Sequence, residues 1–224
     1  MLRRGTLESI QRALLVIILL ITLAIIYLAL RSLSGEESST TTSPQTEPPP
    51  KRVGILAGHW GYDSGAVCPD GLTEVEVNLQ IARLVVVLLI KEGYDAEILP
   101  EFSPKLRGYR ADAFLSIHSD SCDIPTASGF KVARVARSAV PKEEDRLVEC
   151  LRRRYEEITG LSFHEHSITS HMRGYYAFYE IAPDTPGVII EVGFLGADRK
   201  LLTESPEKVA EGIVEGILCF LEGV

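Results

Sequence analysis

The chain has 224 residues, with 23 Lys and Arg against 31 Asp and Glu, a formal net charge of −8. The first 50 residues carry four charges of each sign, so the acidic excess falls entirely in residues 51–224. A domain this acidic repels a phosphate backbone, which argues against nucleic acid as a partner. The length allows one sizeable domain plus accessory segments.

In chain order, residues 13–30, ALLVIILLITLAIIYLAL, contain no charge and no proline. As a helix they span roughly 27 Å, close to the hydrocarbon thickness of a bilayer. Arg3, Arg4 and Arg12 precede the run, while Glu36 and Glu37 follow Arg31. That asymmetry keeps residues 1–12 in the cytoplasm and sends the remainder outward. The expectation is an uncleaved, single-pass anchor in the cell membrane. The alternative is a secreted chain freed by signal cleavage, but LALRSLSG offers no convincing small-x-small site. Residues 31–50 are rich in Ser, Thr and Pro, with too little apolar surface to offset the entropy of ordering. They read as a linker that, if extended, holds a domain up to roughly 60 Å from the membrane.

Residues 51–224 read as the soluble domain. KRVGILAG is a short apolar run ending in glycine, a buried strand. TEVEVNLQIARLVVVLLIKEGY is long enough for a buried helix, opened by a Thr73–Glu76 capping box and stopped at Gly93. YDAEIL and ADAFLSIH are further strands, and GFKVARVA is a possible fourth. PKEEDRLVECLRRRYEEITG is an amphipathic helix between Pro141 and Gly160, with Leu147, Leu151, Tyr155 and Ile158 on its apolar face. YYAFYEI suggests an edge strand, and TPGVIIEVGF is a strongly β-branched one. SPEKVAEGIVEGILCFLEGV closes the chain as a helix capped by Ser205. Strands alternating with long helices predict an α/β domain built on a twisted, mostly parallel sheet with helices on both faces.

Ligands of such sheets bind beyond the carboxyl ends of the strands. His59, His118 and Glu191 fall at those ends, and Glu74 opens the helix after the first strand. His59, Glu74 and His118 make a two-imidazole, one-carboxylate set of the kind that holds catalytic zinc and leaves one position open. Glu191 would be the proton-transfer base. Blander readings stand beside these. Glu74 could complement the helix dipole, and both histidines could be hydrogen-bonded loop residues. Glu191 is harder to dismiss, because an acid after Val-Ile-Ile in a buried strand is costly without a partner.

Four blocks together, ILAGHWGYDSGA, GLTEVEVNLQIA, AFLSIHSD and GVIIEVGFLG, resemble the type 3 family of zinc-dependent N-acetylmuramoyl-L-alanine amidases. The resemblance spans residues 52–222. It implies a zinc-exopeptidase-like fold, Zn2+ on His59, Glu74 and His118, and catalysis by Glu191. The implied substrate is peptidoglycan, cut at the amide between N-acetylmuramic acid and the L-alanine of the stem peptide. A regulatory protein partner is left open. Three departures affect substrate detail. Trp60 follows His59 where the family has glycine, and Asp120 replaces an asparagine. The Thr-Arg-x-x-Asp segment expected after the second strand is replaced by LPEFSPKLRGYRADA.

Cys68 and Cys122 each lie a few residues past a proposed ligand histidine, so a disulfide is expected between them. Cys150 and Cys219 could pair, though buried free cysteine is the commoner fate. His164, His166 and His171 read as a solvated or substrate-facing loop rather than a second metal site. Gly58, Gly65 and Gly71 suggest tight turns. Two other functions fit the same sequence. One is a catalytically silent wall-binding or partner-binding domain. The other is a zinc peptidase that cuts a different amide.

Overall fold

A computed structural model describes residues 4–33 and 48–223. The N-terminal helix α1 (Arg4–Leu33) forms its own unit. Its segment Arg12–Arg31 is long and apolar enough to cross a membrane, and every side chain along it is exposed. Most of the expected linker, residues 34–47, lies outside the described residues.

The second unit is built on one five-stranded sheet. Its strands are β1 (Arg52–Ala57), β2 (Asp95–Pro100), β3 (Ala113–Asp120), β4 (Lys131–Arg134) and β5 (Gly187–Phe194), in the order β2-β1-β3-β5-β4. All neighbours run parallel except β4, which pairs antiparallel with β5 at the edge. From Val53 onward β1 is buried at every position. That explains the continuous apolar run in place of alternation, since a central parallel strand is covered on both faces.

Three long helices pack on one face: α2 (Glu74–Lys91), α3 (Pro141–Thr159) and α7 (Pro206–Glu222). Their apolar stripes meet Ile55, Leu115, Val132 and Ile190 of the sheet in the larger core. Leu56, Phe114 and Ile189 point the other way into a smaller core. That second face is covered by two one-turn helices, α4 (Ser170–Arg173) and α5 (Ala177–Glu180), and by a single 3-10 turn at Pro104–Leu106. The helices are therefore on both faces, but unequally.

Local signals explain most boundaries. Thr73 accepts from the Glu76 amide, and Glu76 accepts in return from Thr73 N, which fixes the start of α2. Gly160, at φ 78°, ends α3 in the left-handed conformation. Three expectations are corrected. Residues 175–181 do not form an edge strand. Tyr175 and Tyr176 lead into α5, because their rings pack with Phe178 and Phe102 rather than pairing backbone with the sheet. Ser205 makes no side-chain cap, because α6 (Arg199–Glu204) runs directly into α7 and the Ser205 amide donates to Leu201 O. Cys150 and Cys219 are joined as a disulfide between α3 and α7 rather than free, because close packing of those helices brings their Cα atoms to 5.7 Å. The expected Cys68–Cys122 bond is present.

Candidate metal centre

Four elements deliver the predicted rim. The turn after β1 carries His59, the first turn of α2 carries Glu74, and the ends of β3 and β5 carry His118 and Glu191. One ligand atom from each of His59, Glu74 and His118 lies within 4.8 Å of the others. Glu74 Oε1 is 3.2 Å from His59 Nε2 and 3.1 Å from His118 Nδ1. Two imidazole nitrogens and a carboxylate oxygen on one point fit a divalent cation of intermediate softness.

The rear atoms of these ligands are also held. His59 Nδ1 lies 2.5 Å from Asp63 Oδ1, and His118 Nε2 lies 3.2 Å from the Tyr175 hydroxyl. Tyr175 donates in turn to Glu101 Oε1 at 2.7 Å, and Glu101 Oε2 accepts the His59 backbone N–H at 2.6 Å. Partners of this type fix which ring nitrogen would face a bound ion. Asn78 donates to Glu74 Oε1 at 3.1 Å and accepts from Ser119. His59 itself has φ 67°, the left-handed region. A non-glycine residue there costs roughly 1–3 kcal/mol, a strain that the short bond to Glu101 helps to hold.

Electrostatics follow from this cage. The hydrogen bond to Glu74 raises the His59 imidazole to about 9, against the effect of burial. Burial opposes the charge on Glu74, but hydrogen bonds from His118 and His59 outweigh it and hold the carboxyl far below the ordinary carboxylate range. A cation bound here competes with the His59 proton for the same carboxylate.

Glu191 stands directly across from His118 in the β3–β5 register. Part of its surface reaches solvent, but Oε2 is enclosed and has no hydrogen-bond partner among the described residues. Burial pushes its carboxyl up to about 7. A carboxyl poised near neutrality can both take and return a proton.

The remaining sequence candidates separate. Gly65 and Gly71 have positive φ, but Gly58 does not. Gly58 is small because a Cβ there would meet the His118 ring at 2.3 Å. Asp120 pairs with the buried Lys131, the cross-strand neighbour of Glu191. Trp60 packs against the larger core, and its carbonyl accepts from Glu101 N. His164 bonds Ser167 nearby, and His164, His166 and His171 form no ligand cluster among the described residues. No motif or periodicity in the sequence marks Asp63, Asn78 or Tyr175. Glu101 alone carried a signal: it follows the carboxyl end of β2, the same rule that marks His59.

The carboxyl rim of a mostly parallel sheet thus carries a two-His, one-Glu cluster with the spacing of a metal site and, beside it, an acid with an unpartnered oxygen. The profile described as N-acetylmuramoyl-L-alanine amidase matches residues 53–219. The chain belongs to that family, the type 3 amidases. The probable N-acetylmuramoyl-L-alanine amidase AmiB of Haemophilus influenzae is 25% identical over 228 residues, covering 78% of this chain and 53% of AmiB. The Bacillus subtilis protein YqiI is 30% identical, covering 75% of this chain and 83% of YqiI. The structure of AmiC2, an N-acetylmuramoyl-L-alanine amidase of Nostoc punctiforme, is 25% identical with a TM-score of 0.58 over 77% of this chain and 97% of that one. The chain spans about half the length of the first curated relatives it matches.

Proposed function

We propose that the chain is a membrane-tethered, zinc-dependent amidase that acts on peptidoglycan during cell-wall remodelling. It hydrolyses the amide between the lactyl group of N-acetylmuramic acid and the L-alanine of the stem peptide. The observation that carries this reading is Glu191, an acid with an enclosed, unpartnered Oε2 that neighbours His118 of the His59–Glu74–His118 cluster in the β3–β5 register. A silent binding domain has no use for such a costly residue.

His59, Glu74 and His118 would hold the zinc. When bound, zinc supplies a Lewis acid for the amide carbonyl. Asp63 and Tyr175 orient the two imidazoles through His59 Nδ1 and His118 Nε2, leaving the opposite ring nitrogens for the ion. Glu191 takes a proton from the attacking water and returns it to the alanine nitrogen as the C–N bond breaks. Helix α1 is the membrane span, and the acidic domain lies outside, where both disulfides are at home and where peptidoglycan is found.

The test uses the detergent-solubilised full chain, purified peptidoglycan, and zinc with or without chelator. The expected products are free lactyl carboxyls and new L-alanine amino termini. Chelator abolishes them, and Glu191→Gln lowers turnover by about 10²–10⁴-fold with zinc content unchanged. New termini elsewhere in the stem peptide would identify a zinc peptidase. The absence of any zinc-dependent product would leave the binding domain.

A further inference from the structure

Beside the metal cage lies a group of aromatic rings that the mechanism does not use. Phe102 stacks on Tyr176, with ring centroids 4.2 Å apart and planes 25° from parallel. Tyr62 meets the Phe102 ring edge-on at 4.5 Å. Burial would be the ordinary fate of such rings, yet Phe102 is 51% exposed and Tyr62 66% exposed. Phe102 also has φ 54°, a conformation that bulky residues avoid. Its amide donates to the Tyr176 hydroxyl at 2.6 Å, which holds that backbone in place.

Two of these rings, Phe102 and Tyr176, border a cleft of about 310 Å³. Phe102 and Tyr176 form its apolar wall, and Ser103, Arg107 and Glu180 supply polar groups around it. The cleft is coupled to the metal cage at two points of the chain. Glu101, which bonds His59 N and Tyr175, is followed by Phe102. Tyr175, which touches His118, is followed by Tyr176. Consecutive Cα atoms are only about 3.8 Å apart, so each pair places one residue behind the ligands and the next one in the cleft.

We propose that this cleft is a saccharide subsite that seats an N-acetylhexosamine ring of the glycan strand. The assignment rests on the amidase reading, in which a sugar must lie on one side of the metal. A pyranose has an apolar C–H face that suits stacked aromatic rings, and hydroxyls at its edge that suit the polar groups. Arg107 and Glu180 balance in charge, which suits a neutral ring. The anionic stem peptide would set one of its carboxylates against Glu180.

Binding of a soluble N-acetylglucosamine tetramer tests this without any hydrolysis. The zinc-loaded full chain carrying Glu191→Gln is titrated calorimetrically, alone and with Phe102→Asn added. Asparagine tolerates the left-handed backbone but removes the ring. The expected result is tetramer binding that Phe102→Asn weakens at least ~10-fold, with zinc content unchanged and the protein still folded at the titration temperature. Affinity for a free stem peptide stays the same in both proteins. Failure of the parent to bind tetramer would overturn the subsite. So would equal tetramer affinity in the two proteins, or a loss confined to the stem peptide. Because the tetramer lacks the lactyl amide, these readings are separate from whether the enzyme cuts peptidoglycan.

Discussion

Gly58 shows how little space the metal cage leaves at the level of single residues. Its missing side chain accommodates the His118 ring, since a Cβ would lie 2.3 Å from Cε1. Gly58→Ala is expected to displace that ring, destabilise the fold by about 1–3 kcal/mol and weaken zinc binding at least ~10-fold. Thermal unfolding and competition against a chelating dye measure the two effects. Glu144, far from the site in the first turn of α3, is buried and shares one oxygen with Gly187 N at 3.4 Å. Burial raises its carboxyl above the ordinary value of 4.5, although Ser138, Gly187 and Arg134 act against the rise. Below 4.5 the group is protonated in both folded and unfolded chains, so stability is intact there. Above it the unfolded chain ionises first, and stability falls until the folded group ionises too. In melts from pH 4.5 to 7, the melting temperature of Glu144→Gln should therefore gain on wild type as pH rises. A constant offset would reject the linkage.

At the level of elements, the contact between α3 and α7 depends on glycines whose role is not visible in a helical pattern. Gly212 and Gly216 sit one turn apart on α7. A Cβ on Gly216 would come within 2.8 Å of the Leu151 backbone and 2.6 Å of its side chain. Intrinsic propensity disfavours glycine in a helix by about 1 kcal/mol, and close approach of α3 offsets that penalty. The same approach brings Cys150 and Cys219 together across a sequence separation of 69 residues. Closing a loop of that size removes entropy from the unfolded chain. Replacing both cysteines with alanine should lower unfolding free energy by about 2–4 kcal/mol in denaturant melts. Residues 175–181 illustrate the opposite limit. Their aromatic content satisfies β propensity, but contacts of Tyr175 with Glu101 and of Tyr176 with Phe102 decide for a short helix.

For the whole molecule, α1 and the sheet-bearing unit make separate predictions. If α1 is an uncleaved anchor, alkaline carbonate leaves the chain in the membrane fraction at its full 24.7 kDa, whereas residues 51–224 alone are soluble. A shorter mature mass would indicate signal cleavage. Periodicity and end signals were enough to read the apolar helix, the mostly parallel sheet, the capping box and the four rim residues. Those features depend on local patterning and on the rule that loops at the carboxyl ends of parallel strands carry the chemistry. The tertiary structure alone decided what surrounds them. It set Asp63, Glu101 and Tyr175 against the two histidines, placed the three long helices of the sheet-bearing unit on one face, paired Cys150 with Cys219 and set Phe102 beside Glu101. Each of these depends on side chains from distant positions meeting at one point, and chain spacing carries no information about such a meeting until the backbone has folded.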